Sequence, residues 1–546
     1  MMAISCFRKL FVRLFILSFF LLPISCVISK NVWIAEDQIP SDVYSKRDMS
    51  AAVEIKPISK QIINLPEKGP LNITVEDAIL IAFANNRSLL VERINPLIQK
   101  TFEDQELAVF DPIVNAGVSI QQDDSKTLNQ SGSYADSSVN DVFQGGISLI
   151  EFFPTGTFVE VAAVIKTTDS DQYSEQYSST RFGLSVTQSL LQGYGTDVNL
   201  ARLRQSQLET DITRYELRGF SESLLAQVET TYWDYALSQR QMEIVEESLK
   251  LAGQQITETE EMIKVGTMAE AELAAVQAEV AAQQQGLIDA KSTLESNRLR
   301  LVRLLNPPGD NPWERDITLV HPPTLPEIEY DEVGAHVAVA IRMRPEMNQA
   351  KIDIQKNDIE IVRTKNGLLP KMDLFITLGK TGYADSFSGS VNDVDGDSYD
   401  MMVGLNFEYP VFNRNARAQQ RRALLSRDKA EMALDNLQQI IELDVRNAYI
   451  ELNRTKEQIS ASTATRKFQE EKLRIETEKF RVGRSTNLFV AQVQRDLLVS
   501  RINEVRAVVN YLKAIVHFYR MEGSLLERRG ISAPGLNLLN ILQRTN

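Results

Sequence analysis

Hydrophobic positions along this chain recur with two different periods, and the changes between them divide the chain into segments. Over residues 197–264 and 416–481, apolar residues follow the helical period of about 3.6 without an intervening proline. Each segment predicts a helix roughly 100 Å long, because an α-helix rises about 1.5 Å per residue. A helix of that length extends beyond any single globular core, so we expect these helices to pack side by side.

Each long helix is followed by a short break that contains a Val-Gly pair. The breaks are Val265-Gly266-Thr267 and Val482-Gly483-Arg484-Ser485. The two glycines are 217 positions apart (483 minus 266), and the same offset aligns Tyr232 with Tyr449. One offset kept over about fifty positions indicates an internal repeat. Glycine adopts positive φ easily, so each break predicts a turn between antiparallel helices.

After Pro112 and again after Pro370, the period changes to about 2, which is typical of strands with one apolar face. The predicted strands lie within about 112–191 in the first repeat and about 370–412 in the second. The first region contains an additional hairpin around Pro154-Thr155-Gly156. The strands are separated by polar stretches that we interpret as exposed loops, at 121–141, 167–180 and 379–398.

These patterns predict the organisation of the whole chain. In order, the predicted segments are an export signal (1–26), an extended lead-in (27–73), the first repeat (74–309), a proline-rich connector (310–329), the second repeat (330–526) and a C-terminal tail (527–546). Each repeat therefore contains strands at one end and a helix-turn-helix tip at the other.

The export signal has a basic start, then an apolar run too short to cross a bilayer, and ends near Cys26. Two interpretations of Cys26 stay open: the lipidated first residue of a bacterial lipoprotein, or an unmodified residue near an ordinary cleavage site. Three residues earlier stands Pro23, where lipoprotein signals usually have leucine. No later apolar run reaches about 18 residues, so membrane entry of the exported chain requires a β-barrel.

Composition excludes several classes of function. A net charge of −14 argues against a nucleic-acid partner, which requires clustered Lys and Arg. The two cysteines both precede residue 30 and the three histidines are far apart, so we predict no metal, no cofactor and no enzyme activity. Asp393, Asp395 and Asp397 alternate like calcium ligands, but no glutamate follows at the required distance. A solvated outer loop is the favoured interpretation.

Alternating strands, polar loops and very long helices in an exported chain predict an α+β membrane protein. Its strands form the wall of an outer-membrane β-barrel, with lipid outside and water inside, and its helices continue the barrel as a tube. One chain supplies too few strands for a wide pore, so closure requires several copies around an axis. The alternative is a soluble β-sandwich carried on a coiled coil, which six strands in two hairpin sets do not favour.

Short motifs recur along the chain in a specific order. They are Thr74-Val75-Glu76-Asp77-Ala78 with Asn85-Asn86, Gln188-Ser189-Leu190-Leu191 before Gly193, Val265-Gly266 with Ala274 to Gln277, Arg344-Pro345-Glu346, Leu369-Pro370, Tyr409-Pro410-Val411-Phe412, Val482-Gly483, and Gly523 before Leu525-Leu526. Together, over residues 74–526, they resemble the TolC family of outer-membrane efflux and secretion ducts. The resemblance implies a homotrimer with a β-barrel in outer-membrane lipid and a periplasmic α-helical barrel. It also implies that the two tips dock to a periplasmic adaptor of an inner-membrane transporter.

Two features depart from that family. Members with the simplest plan have two strands per repeat and a twelve-stranded trimeric barrel, whereas the additional hairpin here permits eighteen strands or folds elsewhere. Some members close the periplasmic mouth with acidic rings just past the second tip, where this chain has Phe489 and Gln492. The equivalent place after the first tip holds Glu272. We regard these three residues as candidates for a pore constriction; the alternatives are a packed phenylalanine and a solvated glutamate.

The predicted function is a passive exit duct of a tripartite efflux or type I secretion system, which carries small molecules or polypeptides across the outer membrane. Two alternatives from other classes stay open. One is a non-conducting structural tether that spans the periplasm. The other is a periplasmic adaptor with a long coiled-coil hairpin, although the lipoyl-like β-domain expected of an adaptor is missing.

Overall fold

A computed structural model describes residues 69–128, 134–170, 176–309, 311–320, 325 and 331–531 of the chain. The export signal, Cys26 and most of the lead-in lie outside the described residues, so the predictions about them stay predictions. Within the described ranges, no helix is both long and apolar enough to cross a membrane.

The described residues form twelve helices of at least four residues and eight strands. The helices are α1 (Val75–Asn85), α2 (Arg87–Glu92), α3 (Asn95–Leu107), α4 (Thr196–Asn199), α5 (Ala201–Lys264), α6 (Ala271–Leu305), α7 (Val333–Met343), α8 (Pro345–Asn366), α9 (Phe387–Asn392), α10 (Arg414–Arg481), α11 (Asn487–Glu522) and α12 (Leu525–Arg528). The strands are β1 (Leu71–Ile73), β2 (Ile113–Leu128), β3 (Tyr134–Phe153), β4 (Thr157–Ser170), β5 (Tyr177–Ser189), β6 (Ile317–Leu319), β7 (Lys371–Ala384) and β8 (Tyr399–Glu408).

Six strands form one antiparallel sheet, in the order β2-β3-β4-β5-β7-β8. The additional hairpin therefore lies in the same sheet as the strands of the second repeat, because β5 pairs directly with β7. The register places apolar side chains in one row across all six strands and small or polar side chains in the next row. One row is Val114, Leu149, Val161, Leu184, Leu378 and Met401, and the neighbouring row on the opposite face is Asn115, Ser148, Ala162, Gly183, Gly379 and Asp400. The sheet thus has one apolar face and one face of small and polar residues.

The strands β2 and β8 are the two edges of this sheet, and each pairs on one side only. Large apolar side chains on both edges are exposed, among them Val118, Ile120, Met401 and Leu405. An edge strand presents unpaired backbone N–H and C=O groups to any neighbouring strand. Long apolar edges of this kind are therefore suited to pairing with another chain.

The predicted boundaries of the loops between these strands were wrong. Strand β2 continues to Leu128 and β3 begins at Tyr134, inside the stretch expected to be a loop, and β4 and β5 extend similarly into the second stretch. In the third stretch, β7 reaches Ala384 and the short helix α9 follows. The backbone ladder continues there between polar residues such as Asp123 and Asn140. Where both faces of a sheet are polar, the sequence no longer alternates between apolar and polar residues. The strands nevertheless still pair through backbone hydrogen bonds.

The two longest helices, α5 and α10, contain 64 and 68 residues, which correspond to about 96 and 102 Å. Each begins close to the end of the sheet and each turns back at a tip, α5 into α6 and α10 into α11. The four helices lie side by side in the order α6, α5, α11, α10. Helices α5 and α11 therefore have a neighbour on both sides, whereas α6 and α10 are edges. Edge helix α10 exposes Leu443, Ile450 and Phe468.

A layer of short elements covers one side of this helical layer near its middle. Strand β1 pairs in parallel with β6, and Leu71 and Ile73 are each only 1% exposed. The predicted lead-in therefore ends in a buried strand and the predicted connector contains its partner, which corrects both predictions. A three-residue strand is too short to show a period. The hydroxyl of Tyr235 on α5 donates to the carbonyl of Ile317 at 2.8 Å and fixes the strand pair on the long helix.

The C-terminal hook, residues 523–531, is folded onto α5. Nε and Nη2 of Arg529 donate to the two carboxylate oxygens of Glu229 at 2.6 and 2.7 Å, and Glu229 is 0% exposed. Nη2 of Arg218 donates to the Gly523 carbonyl at 3.1 Å and to Glu527 at 2.8 Å. We predicted a tail from residue 527, but its first residues are held on α5 by the bonds of Glu527 and Arg529.

A second buried carboxyl lies beside the hook. Glu222 is 3% exposed, and Oε1 of its carboxyl is 3.4 Å from Nε of Arg218. Burial raises the pKa of Glu222 from 4.5 to about 7; Arg218 opposes the shift, while the charges of Glu527 and Glu346 add to it. The Glu222 carboxyl therefore gains or loses its proton close to neutral pH.

Candidate functional site

The first tip connects α5 to α6 through a glycine in the left-handed region. Gly266 has φ +80°, and its N–H donates to the carbonyl of Ile263 at 3.0 Å. The N–H of Thr267 donates to the carbonyl of Met262 at 3.0 Å, and its hydroxyl donates to the same oxygen at 2.9 Å. These bonds satisfy carbonyls that the end of a helix leaves unpaired. The tip is therefore a closed turn and not a frayed helix end.

The second tip repeats this geometry between α10 and α11. Gly483 has φ +74°, its N–H donates to Phe480 at 2.9 Å, and the N–H of Arg484 donates to Lys479 at 2.8 Å. The hydroxyl of Ser485 donates to the carboxylate of Glu476. Both tips thus use the same pair of hydrogen bonds around the same Val-Gly dipeptide, as the repeat in the sequence predicts.

The tips expose apolar side chains at the end of the molecule that is distant from the sheet. Val265 is 77% exposed and Val482 is 68% exposed. A cavity of about 460 Å³ is lined by Val265 and Thr267 of the first tip and by Phe480 and Arg481 at the end of α10. This cavity therefore connects the first tip with the end of α10, directly before the second tip.

Asn487, at the start of α11, joins the two tips and is 0% exposed. Its backbone N–H donates to Oε2 of Glu272 at 3.3 Å, and its side-chain Nδ2 contacts the sulfur of Met268 at 3.2 Å. Its Oδ1 accepts from Nε2 of Gln255 at 3.2 Å. Sequence reasoning missed this residue, because its partners lie more than two hundred positions away. The carboxylate of Glu272 accepts a hydrogen bond from the N-terminus of α11, where negative charge is favoured.

Phe489 and Gln492 lie on a different side of α11 from its packed residues. Both are exposed, and Phe489 is 56% exposed, whereas Val490 and Val493 are buried between the helices. The structure therefore separates the three constriction candidates: Glu272 takes part in the contact between the tips, and the other two project from α11.

A second cavity, of about 280 Å³, lies above the tips on the opposite side of α11. It is lined by Leu251 and Gln255 of α5, by Leu473 of α10, and by Gln494 and Leu497 of α11. Its lining mixes apolar, amide and charged side chains, and Nε2 of Gln494 donates to Oε1 of Gln255 at 2.9 Å.

The loop between β7 and β8 has its own hydrogen bonds. Oδ2 of Asp393 accepts from the N–H of Tyr383 at 2.9 Å, and Asp393–Asp395 is a turn of 3-10 helix. No group of three or more possible metal ligands occurs in the part of the chain that the structure describes.

The fold is that of an outer-membrane duct with long periplasmic helices. The family model described as "Outer membrane efflux protein" matches residues 112–307 and 337–524, which cover the sheet, both tips and all four long helices. The chain belongs to the outer membrane efflux protein family. The resemblance to TolC-type ducts is thereby confirmed, and so are the outer-membrane location and the role as an exit duct. The family consists of channels and not of enzymes.

Three individual relatives illustrate the match. The chain is 22% identical over 366 residues to the pyoverdine export outer membrane protein OpmQ of Pseudomonas putida (strain KT2440), covering 65% of this chain and 73% of the relative. The structure of the outer-membrane channel OprN is similar, with a TM-score of 0.61, 17% identity, and coverage of 90% of this chain and 98% of that one. The CmeC outer membrane channel of Campylobacter jejuni gives a TM-score of 0.62 at 14% identity, covering 94% and 98%.

Proposed function

We propose that three copies of the chain close a barrel in the outer membrane, with β8 of one copy paired to β2 of the next. The observation that carries this proposal is the six-stranded sheet with one apolar face and two open apolar edges. Three such sheets give a barrel of eighteen strands, since each chain supplies six. In a membrane barrel the apolar face meets lipid and the polar face lines the pore. Closure also removes the edges, which a single chain leaves open.

The helices continue this pore into the periplasm. Edge helices α6 and α10 of adjacent copies pack against each other, and the exposed Leu443 and Ile450 of α10 are buried there. The resulting tube places both tips about 100 Å from the sheet. Such a tube conducts cargo passively between an inner-membrane transporter and the outside. We infer small molecules as the principal cargo, supported by the pyoverdine export named for one relative, and secreted polypeptides as the second candidate.

We propose that the tips are the docking surface for the periplasmic adaptor of that transporter. The contact residues are Val265, Gly266, Thr267, Val482, Gly483, Arg484 and Ser485. The support is the exposure of Val265 and Val482, one at each tip, and the cavity that the first tip forms with the end of α10. A photoreactive amino acid at Val265 or at Val482 should cross-link to the adaptor in intact cells. The control position is Val411, which is equally exposed at 77% but lies between β8 and α10, close to the sheet.

We further propose that Phe489 and Gln492 line the periplasmic mouth of the tube. Three exposed phenylalanines around an axis form an apolar ring that narrows the entrance. The carboxylate of Glu272 is engaged with the start of α11, so its proposed contribution to the constriction is to hold α11, and with it Phe489, in position.

Conductance tests whether the proposed trimer forms an open pore. Purified protein should behave as a trimer by native mass spectrometry in detergent and should form ion-conducting channels in planar lipid bilayers. A trimer without conductance in any condition would favour the non-conducting tether. A monomer that binds an inner-membrane transporter directly would favour the adaptor.

A further inference from the structure

One side of α11 carries a row of polar and basic residues that faces away from the other helices. In its upper half the row consists of Asn503, Arg506, Asn510, Lys513, His517 and Arg520. The steps between them alternate between three and four residues, which keeps side chains on one side of a helix that packs in a layer. Continued towards the tip with the same steps, the row reaches Gln492 and Phe489. We call its upper half the inner stripe.

The inner stripe faces the interior of the proposed tube. The opposite side of α11 carries Phe518, which packs on His336 of α7 with ring centroids 4.8 Å apart, and Glu522, whose carboxylate bonds the same histidine at 2.8 Å. Helix α7 and the short β1–β6 sheet thus cover the outer side. Because α11 lies between α5 and α10 of its own chain, a neighbouring copy meets α6 and α10 and leaves Arg506 and Arg520 uncovered.

The acidic residues around the inner stripe are already neutralised. Asp234 of α5 pairs with Lys513 at 2.7 Å. On α10, Asp444 pairs with Arg344 at 3.0 Å. The next acid on α10, Glu451, is bound by Arg454 of the same helix at 2.6 Å. Each of these three carboxylates therefore has a cationic partner, as does Asp496 further down the row, which pairs with Lys472 at 2.9 Å.

Two arginines of the inner stripe carry charges that no acidic residue in the described part of the chain neutralises. Neither Arg506 nor Arg520 forms an ion pair with a residue that the structure describes, and Nη1 of Arg506 donates only to the amide oxygen of Asn503, at 3.0 Å. Burial, with the charge of Arg520 adding to it, lowers the pKa of His517. The positive charge of the stripe that is not paired with an acid therefore comes from Arg506 and Arg520.

From this arrangement we infer that the inner stripe is a binding and selection site for anionic cargo, such as small molecules with carboxylate or phosphate groups. A guanidinium donates in a planar fork that matches these groups, and rings of arginine favour anions in pores. In a trimer, Arg506 and Arg520 each occur three times around the axis. The inference rests on the proposed function as a duct and adds to it the charge of the transported cargo.

Reversal potentials across a planar bilayer test this inference with potassium chloride alone as the probe. Salt concentrations of about 0.1 M and about 0.01 M on the two sides keep screening lengths near 10 to 30 Å, so fixed charges act on permeating ions. The wild-type channel should prefer chloride to potassium. The double variant Arg506→Gln/Arg520→Gln should lower the chloride-to-potassium permeability ratio at least about threefold, since six lumenal charges are removed.

The control is Arg501→Gln. Arg501 lies on the outer side of α11, at the 280 Å³ cavity, with Glu247 and Glu470 each 3.7 Å away. This variant should keep the wild-type ratio. A conducting wild-type channel that prefers potassium, or a double variant with an unchanged ratio, overturns the inference and leaves the duct intact. Absence of conductance in the wild-type protein instead overturns the proposed function, and the inference with it.

Discussion

Replacing Arg529 by methionine tests whether the C-terminal hook is held by its buried ion pair. In the wild-type protein the Arg529 guanidinium forms two hydrogen bonds with Glu229, whose carboxylate has no contact with solvent. Methionine keeps much of the side-chain volume but leaves the Glu229 charge buried without a partner. Removing one member of a buried pair costs about 3 to 5 kcal/mol. We expect the lower end, about 3 kcal/mol, because the Arg529 side chain is itself 32% exposed.

Hydrogen exchange of the backbone amides in α12 measures this cost in the intact protein. A loss of about 3 kcal/mol in the free energy of local opening corresponds to exchange roughly a hundredfold faster. The double variant Glu229→Gln/Arg529→Met is the matched control, since it removes the unpaired charge and should regain most of the protection. Equal exchange rates in the wild type and in Arg529→Met, or equal rates in the single and double variants, would refute the reasoning.

The effect of this substitution should depend on pH with a definite sign. Burial raises the pKa of Glu229, and Arg529 opposes that shift in the wild type. Without Arg529, the buried Glu229 carboxyl is harder to ionise when the hook is closed than when it is open. Protonation of Glu229 therefore stabilises the closed hook. The defect in Arg529→Met should therefore shrink as the pH falls through the raised pKa and grow towards alkaline pH. A defect that grows on acidification would contradict an origin in the buried charge.

Three further predictions concern single residues. Between pH 4.5 and about 7 the folded protein retains a proton on Glu222 that the unfolded chain releases, so the free energy of unfolding should fall with rising pH by up to about 3 kcal/mol. Glu222→Gln should flatten thermal stability across that window, whereas an unchanged slope would exclude this carboxyl. Asn487→Ala should loosen the tips, seen as faster hydrogen exchange at residues 265–272 but not within the sheet. Phe489→Ala should raise single-channel conductance, with Leu488→Ala as the control on the neighbouring position; equal conductance would mean that Phe489 does not narrow the mouth.

The parts of the fold that repeat were predictable from the sequence. The tips, the long helices and the strand regions each leave a local pattern, because glycine at positive φ, a helical period and alternation are properties of neighbouring residues. Gly266 and Gly483 were therefore placed correctly, and both adopt positive φ. The additional hairpin was found as well, although its membership of the same sheet needed the pairing of β5 with β7.

Other features depend on contacts between distant positions, and no local pattern reports them. Asn487 binds Gln255 and Glu272, each more than two hundred positions away. From the sequence, Arg529 is part of a polar tail. The structure shows that it binds Glu229, three hundred positions earlier. The strands β1 and β6 were missed for a different reason: three residues are too few to show the alternation of apolar and polar positions by which a strand is predicted.

The additional hairpin in the sheet has a consequence for the circumference of the pore. In the proposed trimer, twelve helices, four from each chain, spaced about 8 to 10 Å apart would form a ring of roughly 100 to 120 Å. Strands about 4.8 Å apart and tilted about 40° each take up about 6 Å, so eighteen of them form a ring of roughly 110 Å and twelve only about 75 Å. With the extra pair of strands in every chain, the proposed barrel and the proposed helical tube would have nearly the same circumference. The duct then passes from membrane to periplasm without a taper at the junction.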